Sequence, residues 1–310
     1  MNELNYDDIF TSVQQEPEPE PEEPFDLDTW KEKKQADRQQ VYNMADDTTM
    51  AVSTNSEYFQ DYLDVQAHFP RYSVTNAMLI LAQNPEATLL KDFDAWKAAG
   101  LHIQKGAEGI SILEPGNSYV RDNDSIGTNF NVKRVFDISQ TTTPPRAYVS
   151  ARVDDRALLK ALAKSSPVPI RPVDDLAAKG GAVYDPGQQV IFLRKGMDAP
   201  TIFIAVSKEI AHAELAKSRD SYDRNEASFA AYCTAYILCQ RNHVPVDGFN
   251  FTAAPVALAT AIEGVEQDKV TAKIRETLTE IRNTANSISG RIKQAKEQAK
   301  VPKDKGDQER

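Results

Sequence analysis

Residues 208–212 read Lys-Glu-Ile-Ala-His. The run is one side chain away from H-E-x-x-H, in which two histidines one helical turn apart bind zinc and the glutamate beside the first acts as general base. Glu209 and His212 stand in those places, and Lys208 stands where the first histidine belongs. An ammonium has no lone pair to give a metal, and its charge repels one. A catalytic zinc takes three protein ligands and a water. The chain has four histidines, His68, His102, His212 and His243. The first two belong to the other half of the chain, and His243 lies beyond the next helix in Arg-Asn-His-Val-Pro. No ligand set forms around His212 without His243 or Glu226 reaching in from poor positions. No metal and no other cofactor is expected. Lys208 suits a salt bridge near Glu209 or to Glu226, and Glu209 and His212 read as vestigial polar residues of a degenerate pocket.

The motif needs a helix, and the pattern predicts one over about residues 199–217, with a second over about 224–241. Before them, Gly181–Tyr184 and Gln189–Leu193 flank Asp185-Pro186-Gly187, the composition of a hairpin turn. A helix near Asp154–Ser165 opens this second domain, expected over 146–252. Thr141-Thr142-Thr143-Pro144-Pro145 is the expected boundary. Ahead of it, helices are expected around Tyr58–Val65 and after the N-cap Ser73, then a short one over Phe93–Ala98. Ile110–Leu113, Tyr119–Arg121 and Asn129–Ile138 read as strands of a small antiparallel sheet, with a polar loop between the last two. The fold class is α+β, with a first domain over 50–142 and a helical, increasingly polar C-terminal extension over 253–310. Ile274, Leu278, Ile281 and Ile288 give that extension a narrow apolar stripe.

Among 310 residues the net charge is −10. The acidity is local: residues 1–30 hold ten acids and no Lys or Arg, leaving 36 acids against 36 bases in the remainder. Gln15–Phe25 alternates Glu and Pro, which can neither bury apolar area nor complete a helix, so residues 1–49 read as an acidic tail and a lead-in helix. The folded part has no overall repulsion for a polyanion. No apolar run approaches the ~20 residues that cross a bilayer, and Met1–Asn5 predicts no secretory signal. Cys233 and Cys239 lie six apart in one apolar segment and point in different directions, so a disulfide between them is not expected. A reducing cytoplasm fits.

Several motifs of the first domain share a known look. Tyr72-Ser73-Val74-Thr75-Asn76-Ala77-Met78-Leu79-Ile80 is followed by Gln83-Asn84-Pro85-Glu86-Ala87, by Phe93-Asp94-Ala95-Trp96, by Lys105-Gly106-Ala107-Glu108-Gly109-Ile110 and by Val135-Phe136-Asp137-Ile138-Ser139-Gln140-Thr141. In this order they resemble the N-terminal single-stranded-DNA-binding domain of ArdC-type antirestriction proteins, also found in LtrC-like proteins of conjugative elements. The resemblance covers about residues 50–142. It implies a second, zincin-like metallopeptidase domain whose helix pair and β-hairpin match the layout of 180–245. It also implies an acidic third metal ligand on the second helix, where this chain has Tyr232.

The resemblance implies single-stranded DNA as partner. Single strands are held by aromatic platforms and by cations that track phosphates. Tyr72, Trp96, Tyr119 and Phe130 are candidate platforms. Arg71, Lys97, Lys105, Arg121, Lys133 and Arg134 are candidate phosphate contacts, and Asn76 could bond a base or the backbone. Each also has a structural reading: Trp96 as core, Asn76 as a turn brace, the bases as ordinary surface. Lys105 beside Gly106 is the best single candidate, because a glycine turn lets a phosphate come close to the backbone. Gly109 reads as a turn requirement. Three expectations follow: a DNA-binding protein of a mobile element with a catalytically dead second domain, a metallopeptidase with a rebuilt site, or a module that binds a protein partner through the second domain or the Ile274–Ile288 stripe.

Overall fold

The computed structural model describes residues 26–120, 126–142, 154–177 and 180–300. Contacts divide the chain into 1–39 and 40–310. The first unit contributes the start of helix α1 (Leu27–Thr54), and nearly all its residues from 26 to 39 are exposed. The second unit holds the rest.

Its first half follows the expected order. Helix α2 (Ser56–His68) starts at Asn55, whose side chain accepts the Glu57 and Tyr58 N–H groups. Helix α3 (Val74–Gln83) starts at Ser73, which accepts the Asn76 N–H. These caps satisfy donors that a first turn leaves orphaned. Strand β1 (Leu90–Lys91) and helix α4 (Phe93–Ala98) follow, and β2 (Ile110–Val120) and β3 (Ile126–Asp137) form a long hairpin. The sheet order is β1-β3-β2, antiparallel throughout, with Ile110 opposite Val135 and Ile112 opposite Lys133. Strand β3 begins at Ile126, inside the stretch expected to be loop.

Strand β2 is an edge strand, and α3 covers its open backbone. Gln83 exchanges two hydrogen bonds with Ser111 (Ser111 N to Oε1 2.8 Å, Nε2 to Ser111 O 3.0 Å). Asn76 does the same with Leu113 (Leu113 N to Oδ1 2.8 Å, Nδ2 to Leu113 O 2.9 Å). Two side-chain amides thus stand in for a neighbouring strand.

The second half holds α5 (Asp155–Ser165), β4 (Ile170–Val173), β5 (Ala182–Asp185), β6 (Val190–Arg194), α6 (Ala199–Ser218) and α7 (Arg224–Arg241). The hairpin turns where Asp185-Pro186-Gly187 predicts. Strand β4, missing from the sequence reading, pairs parallel with β6, so the order is β4-β6-β5 and the sheet is mixed. Helices α8 (Ala254–Ala261) and α9 (Val270–Lys300) follow.

Helix α9 corrects the picture of a polar extension. Ile274, Leu278, Ile281, Ala285, Ile288 and Ile292 are all buried, and the helix packs on α3, α5, α6 and α7. Its apolar stripe is spent within the chain's own core, which runs without a break from Val52 to Ala295 through both halves. That stripe is not open to a protein partner. Among the described residues no helix is long and apolar enough to cross a membrane.

Candidate functional site

Helices α6 and α7 pack side by side, and β5 lies along α6. The Glu209 carboxylate is fully buried between them. Its Oε2 accepts the Tyr184 N–H of β5 at 2.8 Å, and Arg224 Nη2 donates to Oε1 at 2.8 Å and Oε2 at 2.9 Å. Lys208 Nζ stands at 3.8 Å from Oε1. The expected salt bridge near Glu209 is therefore present, but the close cation is Arg224, from the first turn of α7. Glu226, the other expected partner, is exposed.

His212 is also buried, one turn along α6. Its Nδ1 lies 3.1 Å from the Tyr222 hydroxyl. Burial, then the positive charges of Arg224, Lys208 and Arg219, push the imidazole down to about 3. A neutral ring with a lone pair on Nδ1 accepts the Tyr222 O–H. Tyr232 sits elsewhere: its hydroxyl accepts the Asn250 N–H at 2.8 Å and its ring packs on Phe249 and Phe251.

These residues do not fit a metal. A divalent cation would enter a pocket that already holds Arg224 and Lys208, with Glu209 committed to the guanidinium. Among the described residues no three His, Cys, Asp or Glu side chains are grouped to hold one. Cys233 and Cys239 are buried free thiols.

In the first half, an open groove of about 490 Å³ runs between the start of α3, the β1–α4 junction and the β2–β3 hairpin. It brings together five of the predicted residues: Arg71, Tyr72, Asn76, Phe130 and Lys133. Tyr72 is half-buried and Phe130 is 37% exposed. Arg71 is exposed, with no ion pair among the described residues. Lys133 Nζ bridges Asp92 at 3.0 Å and Glu114 at 3.2 Å, and these carboxylates raise its pKa. Asp92 also caps α4 through the Ala95 N–H. The groove is thus amphipathic, with two aromatic side chains, cations and two acids.

Asn76 lines the groove, but it is buried and both ends of its amide bond Leu113, so it braces the sheet edge. The other candidates lie apart. Trp96 is 1% exposed. Its Nε1 donates to Phe136 O at 2.8 Å and Lys91 Nζ stands 4.8 Å from its ring centroid, so it is core and offers no platform. Lys97 and Lys105 are exposed outside the groove, Lys105 beside Gly106 at φ +84°. Arg134 donates to Gly109 O at 3.0 Å. Gly109 serves close packing: a Cβ there would stand 3.0 Å from the Phe136 ring. Arg121 lies outside the described residues, as does the Tyr119 side chain. Sequence reasoning missed Arg224, Tyr222, Asp92 and Glu114; none belongs to a local motif, and only packing places them.

No family model matches the chain. In sequence it is 24% identical over 288 residues to the uncharacterized protein pXO2-81 of Bacillus anthracis, a match covering 74% of this chain and 48% of that protein. The chain thus spans about half the length of the curated relative it matches. Among solved structures it is similar to the metal-free antirestriction protein ArdC from plasmid R388. That match has a TM-score of 0.50 and 17% identity over 72% of this chain and 86% of that one. The Mn(II)-bound form of the same protein gives a TM-score of 0.51 and 18% identity over 71% and 85%. The Mn(II) belongs to that protein; the residues of this pocket do not suit one. In fold, the chain is ArdC-like, as the motifs between Tyr72 and Thr141 implied.

Proposed function

We propose that this protein binds single-stranded DNA in the groove between α3 and the β2–β3 hairpin, as a component of a mobile element that protects or escorts DNA. The carrying observation is that Arg71, Tyr72, Phe130 and Lys133, drawn from separate segments, meet in one groove. Stacking surface and phosphate-binding charge are what a single strand requires. The half containing α6 and α7 serves as a non-catalytic scaffold, with Glu209 and His212 locked by Arg224 and Tyr222. The limits 50–142 and 146–252 mark the binding and scaffold regions. Two buried free thiols suit a cytoplasmic setting.

Fluorescence anisotropy of full-length protein with labelled oligo-dT tests the reading. If Arg71 and Lys133 each neutralise one phosphate, log K falls against log salt with a slope of about −1.4, or ~0.7 per contact on a single strand. Arg71→Ala should flatten that slope by about 0.7, and Tyr72→Ala should weaken binding at every salt concentration. Absence of binding at low salt refutes the proposal.

A further inference from the structure

Helix α9, distant in sequence from the groove, grips the turn that carries two of its residues. Arg282 donates from Nε to Tyr72 O at 2.7 Å, and from Nη2 to Pro70 O and Arg71 O, each at 3.3 Å. Asn286, one turn along, donates from Nδ2 to Pro70 O at 2.9 Å. Three consecutive carbonyls thus turn toward one helix. From the chain's own side, Gln66 Nε2 reaches Phe69 O at 3.2 Å and Tyr72 O at 3.5 Å. Within the turn, the Tyr72 N–H donates to Phe69 O at 3.2 Å and the two rings meet edge-on at 5.8 Å, while Pro70 has no N–H and Arg71 and Ser73 are exposed. The grip is firm because Ile281, Ala285 and Ile288, interleaved with Arg282 and Asn286, are buried in the core.

We infer that Arg282, supported by Asn286, is a positioning residue for the groove: it fixes the Pro70–Tyr72 turn and thereby sets where Arg71 and Tyr72 stand. The C-terminal helix is then part of the binding site, although it supplies none of the proposed contacts. The planar guanidinium is essential, because its fork reaches several carbonyls at once and an ammonium is a single point charge. The consequence for DNA rests on the function proposed above; the hold on the turn does not.

Two readouts on the full chain separate these. The first is site-specific tryptic cleavage after Arg71, followed by mass spectrometry without DNA. Releasing the carbonyls lets the turn open, so Arg282→Ala should cleave there about tenfold faster, ~1.4 kcal/mol of lost protection. Arg282→Lys should fall close to alanine. Arg275→Ala, which breaks the 2.7 Å ion pair of α9 with Asp46 at another point, is the control and should leave the rate unchanged. The second is oligo-dT affinity. Arg282→Ala should raise Kd several-fold, should flatten the salt slope by no more than the ~0.7 that Arg71→Ala removes, and should add no further loss in an Arg71→Ala/Tyr72→Ala background. Cleavage at the wild-type rate in Arg282→Ala overturns the inference, whether or not DNA binds. A further affinity loss from Arg282→Ala in the Arg71→Ala/Tyr72→Ala background, or full rescue of affinity by lysine, also overturns it, since either marks a direct phosphate contact. Faster cleavage in a protein that never binds DNA leaves the positioning role standing and refutes the proposed function alone.

Discussion

Replacing Arg224 by leucine strips Glu209 of its closest counter-charge. The Glu209 side chain has no solvent exposure, while that of Arg224 is 37% exposed. The substitution removes two charge-assisted hydrogen bonds, at 2.8 and 2.9 Å. It leaves the carboxylate with the Tyr184 N–H and with Lys208 at 3.8 Å. Breaking a buried pair by removing one partner costs about 3–5 kcal/mol. The lower end applies, about 3 kcal/mol, because Lys208 can move closer and water can enter through the space Arg224 vacates. With a urea m-value of about 2–3 kcal/mol/M, the unfolding midpoint should fall by about 1 M. Glu209→Gln in the same molecule removes the stranded charge while its amide oxygen still accepts from Tyr184. The double variant should recover about 1–2 kcal/mol, a coupling expected of residues in contact. Urea titrations of wild type, both single variants and the double variant, followed by circular dichroism at pH 7.5, measure the cycle. Additive effects, or a loss under about 1 kcal/mol for Arg224→Leu, refute the reasoning, because the pair would then be a solvent-screened contact of little value.

Two further outcomes test the same pocket. His212 is neutral in the native state down to about 3, whereas an unfolded histidine takes a proton near pH 6.5. The unfolded chain binds the extra proton, so this contribution to stability is intact above pH 6.5 and is lost as pH falls. The loss is about 2 kcal/mol between pH 7.5 and pH 5. Urea midpoints at the two pH values should show it in wild type and lack it in His212→Gln; equal pH dependence of both rejects it. Lys208→His rebuilds the H-E-x-x-H sequence yet should bind no zinc, because Arg224 remains on Glu209 and Tyr232 faces Asn250. Stoichiometric zinc in that purified variant would show the pocket to be a metal site one residue short.

What could be read from the residues was whatever local chemistry determines. Ser73 acts through its own first turn, and Asp185-Pro186-Gly187 closes its own hairpin, so these elements stand where the pattern puts them. Strand β4 escaped notice because it is four residues long, contains Pro172 and is held by a parallel ladder to β6, a partner about twenty residues away. The stripe of α9 announced a buried face, but periodicity cannot say what buries it. Its partners are helices up to two hundred residues distant.

The two sites differ in the same way. The groove candidates were found by residue type, and type alone cannot separate Tyr72, which lines the groove, from Trp96, which is core. Burial separates them. At the second site, sequence shows Lys208 where H-E-x-x-H has a histidine, and Glu209 and His212 beside it. It does not show what partners the buried acid and imidazole. A buried glutamate without a metal must find another cation or leave the core. The cation comes from Arg224, outside the motif and on another helix, while Tyr222 takes up the nitrogen of His212. Lys208 is then the part of the pocket that sequence makes visible, and the cation that balances Glu209 is non-local. The buried acid is neutralised by a guanidinium, an arrangement with no donor left over to hold a metal.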